Sequence, residues 1–313
     1  MNTQTQLRLG FPQPIGPTLH DKGCNFAVYS PDAIQVFVCL FDAEETLVAE
    51  YPMIGKSGAI WHVDILGIEA GQYYGLRVDD GNGGYQKLLV DPYSKQLSRA
   101  CEWSKELYEG DSADMLPKSV VVEQPTVVQR QRLFHKEQPR IVYEAHVKGL
   151  TKRHPDVPEA LRGTYLGACH PSVLNHLRQL GITTVQFLPC ASFMPEPHIT
   201  QLGLTNYWGY NPINFFAVEP RYAVRNPLDE IQAMVSAYHE AGIEVIMDVV
   251  FNHTAEAGRD GPVISLKGLC ADQAFMMERH SSGPDEFINH SGCGNTVNVA
   301  NYQVLQLIMD ALR

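Results

Sequence analysis

Long apolar runs, cysteine pairs and a surplus of positive charge are all missing from this sequence of 313 residues. No apolar run approaches the roughly 20 residues that a helix needs to cross a bilayer, so we expect no membrane partner. The 24 Lys and Arg residues are outnumbered by 35 Asp and Glu residues, and the formal net charge is −11. A surface of that sign repels phosphate groups, which disfavours nucleic acid and anionic lipid as partners and favours a neutral partner.

The cysteines also indicate a compartment. There are seven of them, scattered along the chain and without a C-x-x-C pair. This pattern is typical of reduced thiols and not of a disulfide framework. The amino-terminal sequence MNTQTQLRLG lacks the basic start and apolar core of a secretory signal. We therefore expect a cytoplasmic protein.

Motifs for metals and phosphates are missing as well. The twelve histidines form no His-x-x-x-His pair, and no glycine-rich phosphate loop is present. Transition-metal sites and phosphate cradles depend on such spacings. The sequence therefore predicts neither a metal site nor a cofactor.

The first third of the chain has the periodicity of β-strands. Apolar and polar residues alternate in short segments that are separated by turn residues, among them the turn sequence at 80–84. The predicted strands are 24–30, 34–41, 61–66 and 72–78. Because no helical pattern lies between them, residues 1–105 are expected to form an antiparallel β-sandwich.

Residues 106–139 have little periodicity and contain scattered Pro, Gln and charged residues. Such composition is typical of an irregular connection. We expect a connector that lies on the protein surface.

After residue 140 strands and helices alternate. Predicted strands at 141–147, 183–188 and 244–250 are separated by helices that begin near Pro171 and Asn226. A long irregular loop then leads to a last helix that begins near Asn301 and shows no stop signal before the end of the sequence. Since a TIM barrel needs eight strands, residues 140–313 are expected to form the first three β/α units of an incomplete barrel.

Polar side chains follow the third of these strands. Asp248 lies near its end, and Asn252 and His253 come just after it. In barrels, ligands are bound at the carboxyl ends of the strands. An acid, an amide and an imidazole at one rim can bond sugar hydroxyls. The alternative interpretation is a buried Asp that caps a loop and a His that bonds only to the backbone.

A second cluster of aromatic and amide side chains lies in the loop after the second strand. Trp208 and Tyr210 could stack on the apolar face of a sugar ring. The alternative, a hydrophobic anchor for the loop, is the better interpretation for Tyr207. Glu144, His146 and Lys148 are expected on one face of the first strand, as a salt-bridged barrel end without chemistry.

These motifs resemble the α-amylase superfamily, glycoside hydrolase family 13, and in particular its glycogen-debranching and isoamylase-type members. DVVFNH is similar to the first signature region of that family, and the front half is similar to the glucan-binding sandwich that precedes its barrels. The matching segments are NFAVYSPDAIQVFVCLFD (25–42), LLVDPYSKQL (88–97), NYWGYNPINFFAVEPRYA (206–223), DVVFNH (248–253), HTAEAG (253–258) and GCGNTVNVANYQVLQLIMDALR (292–313).

The resemblance implies a role for individual residues. Tyr210 would stack under the sugar at the cleavage subsite, and Asp248 and His253 would line that subsite, with His253 reaching the hydroxymethyl group. Asn252 would support the loop or, in calcium-binding relatives, contribute a ligand; calcium is not supported by the sequence itself. The family's nucleophile and acid/base would lie beyond Arg313, so no catalytic residue is expected in this chain.

The expected activity of the complete enzyme is hydrolysis of α-1,6 branch linkages in glycogen or limit dextrin, by a retaining mechanism. The chain alone is expected to be inactive. Two alternatives remain: another superfamily enzyme, such as a branching enzyme or a trehalose-releasing hydrolase, or a non-catalytic glucan-binding remnant.

Overall fold

The computed structural model describes residues 6–82, 84–108, 110–123, 139–281 and 285–313. Within these ranges, no helix has the length and apolar character that spanning a membrane requires. The strands are β1 Leu7–Arg8, β2 Gly16–His20, β3 Gly23–Tyr29, β4 Gln35–Phe41, β5 Leu47–Pro52, β6 Gly55–Ser57, β7 Ile60–Leu66, β8 Tyr73–Asp79, β9 Ser119–Val120, β10 Val142–Ala145, β11 Thr184–Phe187, β12 Glu244–Met247, β13 Met277–Glu278 and β14 Glu286–Phe287. The helices are α1 Val147–Thr151, α2 Tyr165–Ala168, α3 Pro171–Gln179, α4 Pro197–Gln201, α5 Pro227–Glu240, α6 Leu266–Ala274 and α7 Tyr302–Ala311.

The front of the chain folds into two antiparallel sheets. One has the order β1-β7-β3-β2, with β6 also paired to β7, and the other has the order β5-β4-β8-β9. Residues of both sheets, among them Phe26, Val38, Val63 and Leu76, are buried in one core. The predicted antiparallel β-sandwich is confirmed, and its four predicted strands are β3, β4, β7 and β8, each within a residue or two of the expected bounds.

The connector predicted at 106–139 is wrong for the part that the structure describes up to residue 123. Leu107 and Leu116 are fully buried, and β9 adds to the edge of the sandwich by pairing with β8. A two-residue strand is too short to show an alternating pattern, which is why the sequence did not indicate it. Residues 124–138 of the prediction lie outside the described residues.

The later part contains a parallel sheet of order β10-β11-β12. Its pairing places Val185 between Tyr143 and Val245, in register on all three strands. One face packs on α3 and α5, and the core there includes Val185, Phe187, Leu177 and Met234. These strands and two helices follow the prediction, with Asn226 accepting the first N–H groups of α5 through its side chain.

The first strand of this sheet is shorter than expected. It ends at Ala145, and Nδ1 of His146 accepts the backbone N–H groups of Lys148 and Gly149, which begins helix α1. The prediction that Glu144, His146 and Lys148 share one strand face is therefore wrong. A histidine cap cannot be distinguished from a strand residue by alternation alone.

The segment after β12 is also more ordered than the predicted loop. It contains α6 and the β13–β14 hairpin. Leu269 of α6 and Leu307 of α7 are buried in the same core as the sandwich residues, and Oγ of Ser30 donates to the carbonyl of Leu269 at 2.6 Å. Helices α6 and α7 therefore belong to the core of the sandwich, whereas the parallel sheet has a core of its own.

Candidate functional site

Two segments of the chain meet at the carboxyl end of the parallel sheet. One is the loop after β11, residues 206–212, and the other is 248–253, which follows β12. The backbone N–H of Asp248 donates to the carbonyl of Phe187 at 2.9 Å, which extends the pairing of β11 and β12 to the sheet edge. The N–H of Ala255 donates to the carbonyl of Pro212 at 2.8 Å and ties the loops together.

Asp248 is held by two side chains. Nε2 of Gln186 donates to Oδ1 at 2.7 Å, and the phenol of Tyr210 donates to Oδ2 at 2.7 Å. Burial and the neighbouring carboxylate raise the pKa of Tyr210 to about 12, so the phenol stays protonated and remains a donor. The pair leaves the Tyr210 ring partly exposed beside a fixed carboxylate.

His253 lies beneath this pair and not at a solvent-facing rim. Only 5% of the residue is exposed. Its Nε2 is 3.0 Å from the carbonyl oxygen of Tyr210, and its Nδ1 is 2.9 Å from Oδ1 of Asn252. Burial lowers the pKa of His253, and the carbonyl of Tyr210 accepts from Nε2–H of the ring. The place of His253 just after the strand predicted an imidazole at the rim, and its burial corrects that expectation.

The aromatic cluster contains one ring that stacks on a histidine and two rings that present free surface. Tyr207 stacks on His146 with ring centroids 4.0 Å apart, and its carbonyl lies 2.6 Å from Nε2 of that histidine. Trp208 meets Tyr207 edge to face and is 57% exposed. The stacking on His146 supports the interpretation of Tyr207 as an anchor for the loop, with 42% of the residue still exposed. Trp208 and Tyr210 present free ring surface, as an aromatic platform requires.

Two parts of the chain match models of known domains. Residues 14–94 match the model of carbohydrate-binding module 48, the isoamylase N-terminal domain, and residues 153–259 match the model of the α-amylase catalytic domain. Residues 153–259 thus resemble part of an α-amylase catalytic domain. The resemblance drawn from DVVFNH and the sandwich motifs is confirmed.

The similarity extends to individual proteins. Over 99% of its length the chain is 40% identical to a glycogen debranching enzyme of Yersinia enterocolitica, and it covers 49% of that relative. The chain thus spans about half the length of the curated relative it matches. A pullulanase of Anoxybacillus sp. LM18-11 in complex with maltotetraose superposes with a TM-score of 0.75 at 24% identity, over 95% of this chain and 42% of the pullulanase. A pullulanase of Bacillus acidopullulyticus gives the same TM-score and identity over 96% and 36%.

Sequence reasoning missed two residues that position the candidate site. Gln186 was interpreted only as part of a strand, although a lone amide in the apolar segment TTVQFL is a signal for a polar face. Asn295 is fully buried, accepts the N–H of Thr254 at 3.0 Å, and donates to the carbonyls of Thr254 and Ala257. The glycine-rich GCGN sequence around it was the only available signal.

The donors near the sheet edge do not form a metal site. Among the described residues, no group of three or more His, Cys, Asp or Glu side chains is placed to hold a metal ion. Asn252, which the resemblance connected with calcium, has its carbonyl bonded by the N–H of Val297 at 2.9 Å and its side-chain oxygen beside His253. The residues present do not fit a calcium ion at Asn252.

Proposed function

We propose that this chain is part of an enzyme that hydrolyses α-1,6-glucosidic branch linkages in glycogen or limit dextrin. The observation that carries the proposal is the Tyr210–Asp248 pair, an exposed ring beside a carboxylate that two donors hold in place. A pyranose ring offers an apolar face to the aromatic ring and hydroxyl donors to the carboxylate. The 40% identity to a glycogen debranching enzyme supports this substrate class.

The site residues have distinct roles in this proposal. Tyr210 and Trp208 contact the sugar face, and Asp248 accepts from its hydroxyls. His253 supports the platform from below through the Tyr210 carbonyl, with Asn252 beside it. Both ring nitrogens of His253 have protein partners within hydrogen-bond distance, so neither is free to bond the sugar in this structure. Contact of His253 with the hydroxymethyl group therefore remains a prediction.

We call Tyr210, Trp208 and Asp248 the sugar wall. Bond cleavage requires groups in addition to these three. A retaining mechanism uses a nucleophilic carboxylate and an acid/base about 5–5.5 Å apart. We propose that both come from barrel strands after Arg313 and that these strands cover the inner face of the parallel sheet. The 313-residue chain then has no glycosidase activity of its own.

All seven cysteines are free thiols and only Cys293 is exposed. A reducing compartment suits that state. This observation supports the proposal of a cytoplasmic enzyme that acts on an intracellular glucan.

Glucan binding by the 313-residue chain tests the sugar wall directly. Titration calorimetry with maltooligosaccharides should give weaker binding for Tyr210→Ala and Asp248→Asn, by about tenfold or more, since each loses a stacking or charge-assisted contact. Tyr302→Ala, which removes another exposed tyrosine far along the chain on α7, is the matched control. Equal binding by all variants would place the glucan elsewhere.

Activity tests the missing groups. Release of reducing ends from glycogen, limit dextrin and pullulan should be absent with residues 1–313 and present with a chain extended through the remaining barrel strands. In the extended chain His253→Ala should lower kcat/KM by about 10- to 1000-fold, with His176→Ala on the exposed side of α3 as control. Because His253 is buried, the melting temperature of the His253→Ala variant is measured alongside its kinetics. Turnover by the short chain that is lost in Asp248→Asn would overturn the proposal.

A further inference from the structure

The loop that follows His253 is built around a buried carboxylate and a half-buried ammonium. Glu256 is 1% exposed, and its carboxylate accepts the N–H groups of Ile264 at 2.8 Å, Ser265 at 2.7 Å and Lys267 at 3.1 Å. These groups precede or begin helix α6, so the carboxylate acts as the cap that the helix needs at its N-terminus. The Ser265 side chain makes no capping hydrogen bond there.

The second charge is the ammonium of Lys267. Its Nζ donates to three backbone carbonyls of the same loop, those of Gly258 at 2.6 Å, Gly261 at 2.8 Å and Glu256 at 3.4 Å. An ammonium has three donors, and here each has a carbonyl partner. Burial lowers the pKa of Lys267 to about 8 and the Glu256 carboxylate opposes that shift, so the group is charged at neutral pH.

The backbone is shaped to bring these carbonyls together. Ala257 has a φ of 50°, in the left-handed region that few non-glycine residues adopt. A Cβ atom on Gly261 would lie 2.1 Å from the Glu256 carbonyl oxygen, so only glycine allows the loop to close this tightly. Three carbonyl oxygens that converge on one point are the kind of ligand set that hard cations take in proteins.

We propose that Lys267 is a built-in cation whose ammonium fills a carbonyl cage and holds residues 254–261 in the shape that keeps His253 buried under Tyr210. The cage is connected to the sugar wall by the chain itself, since His253 lies three residues before Glu256. Asn295 fixes the intervening segment through Thr254 and Ala257. Lys267 is thus a positioning residue. Its bearing on sugar binding rests on the proposed function, but the cage does not.

The cage is tested by amide hydrogen exchange on the 313-residue chain, without any glucan. In Lys267→Met, exchange of the 256–265 amides should become about 10- to 100-fold faster, because a charge-assisted set of hydrogen bonds is lost. The strands of the sandwich should keep their protection. Lys22→Met, at an exposed turn between β2 and β3, is the charge-matched control. Unchanged exchange in Lys267→Met would overturn the proposal.

Chemical rescue identifies the cage as a cation site. Lys267→Ala vacates the space of the ammonium, and added methylammonium or Ca²⁺ should restore part of the lost protection. Tetramethylammonium has no N–H donors and is the control for ionic strength. Equal restoration by tetramethylammonium would contradict a specific cage.

A measurement on the unchanged chain keeps the proposal testable if the variants do not fold. Nitrogen-detected NMR of lysine side chains should show one ammonium whose protons exchange slowly with water, assigned to Lys267 through its own side-chain carbons. Exchange as fast as that of the exposed lysines would overturn the cage. Unchanged glucan binding in Lys267→Met, with faster exchange of the loop amides, would count against the link to the sugar wall and not against the cage.

Discussion

The β-sandwich and the three-stranded parallel sheet differ in how their two faces are covered. Both sheets of the sandwich bury an inner face in one core, which α6 and α7 extend. The parallel sheet buries only the face that carries Val185 and Phe187, whereas Val142 and Ile246 on the other face are 50% and 43% exposed. Apolar side chains on the exposed face contribute little to the stability of the sheet, because they remain in contact with water.

The polar residues of the candidate site lie on the exposed face of the parallel sheet. Parallel register puts Glu144 beside Gln186, and Gln186 beside Ile246, so these residues lie on the same, open face. Asp248 continues that face and bonds to Gln186. The incompletely covered face of the parallel sheet is therefore the one that carries the candidate site.

The largest expected contrast between the two regions is in local stability. Amides of β10 and β12 should exchange at least about a hundredfold faster than those of β3 and β7, because edge strands with an exposed face open without disrupting a whole core. Residue-resolved hydrogen exchange of the 313-residue chain measures this. Equal protection in both sheets would mean that the chain covers the open face in solution, for example through a second copy.

Two matched leucine truncations test the two cores. Leu307→Ala and Leu177→Ala each remove a buried side chain and should cost about 2–5 kcal/mol of unfolding free energy. Leu307 packs in the core of the sandwich and Leu177 in that of the parallel sheet. Only Leu307→Ala should lower the protection of β3 and β7, as measured by hydrogen exchange and denaturant titration. A sandwich that is unaffected by Leu307→Ala would show that it folds independently of α7.

A pH titration distinguishes the sandwich from the parallel sheet, because a buried carboxylate, that of Asp91, bonds to the core residue Tyr74 of the sandwich. Burial raises the pKa of Asp91 to about 6, although Tyr93 N–H and the Tyr74 phenol bond to it and oppose the shift. The folded state then binds more protons than the unfolded chain between about pH 4 and 6. Stability should therefore fall as the pH rises through that window, by up to about 3 kcal/mol. Urea titrations of the wild type and Asp91→Asn measure this, and parallel pH profiles would contradict it.

The smallest expected effect concerns the junction between the regions. Ser30→Ala removes the donor to the Leu269 carbonyl and leaves that buried oxygen without it, which should cost about 1 kcal/mol. Ser236→Ala is the control, because Ser236 donates to the Gln232 carbonyl within one helix. If Ser236→Ala lowers the free energy of unfolding as much as Ser30→Ala does, the effect is a general one of removing a serine and not one of the junction.

Sequence reasoning worked where a pattern repeats over many residues. Strands β3, β4, β7 and β8 alternate over seven residues each, and α5 has an Asn cap followed by Pro. It failed for β9, for the His146 cap and for α6. Each of these depends on a partner far away in the chain or on a single side-chain bond, and local periodicity contains no information about either.

The candidate site shows the same division. Residue types at the carboxyl ends of β11 and β12 indicated Tyr210, Asp248, Asn252 and His253 before any geometry was available, since the ends of neighbouring parallel strands meet at one edge. The pattern did not indicate that His253 would be buried. Its burial is a tertiary property, and the loop that follows it is held by Glu256, Lys267 and Asn295.

The sequence by itself determined the order of a sandwich followed by β/α units, the identity of the polar residues at the sheet edge, and the resemblance to a superfamily. These are properties of neighbouring residues and of short motifs. Only the tertiary structure decided that α6 and α7 complete the sandwich core, that Gln186 orients Asp248, and that a lysine ammonium fills the carbonyl cage of the next loop. Such contacts join residues whose separation in the chain has no period, and they form because buried charges and buried polar groups must find partners once the chain is packed.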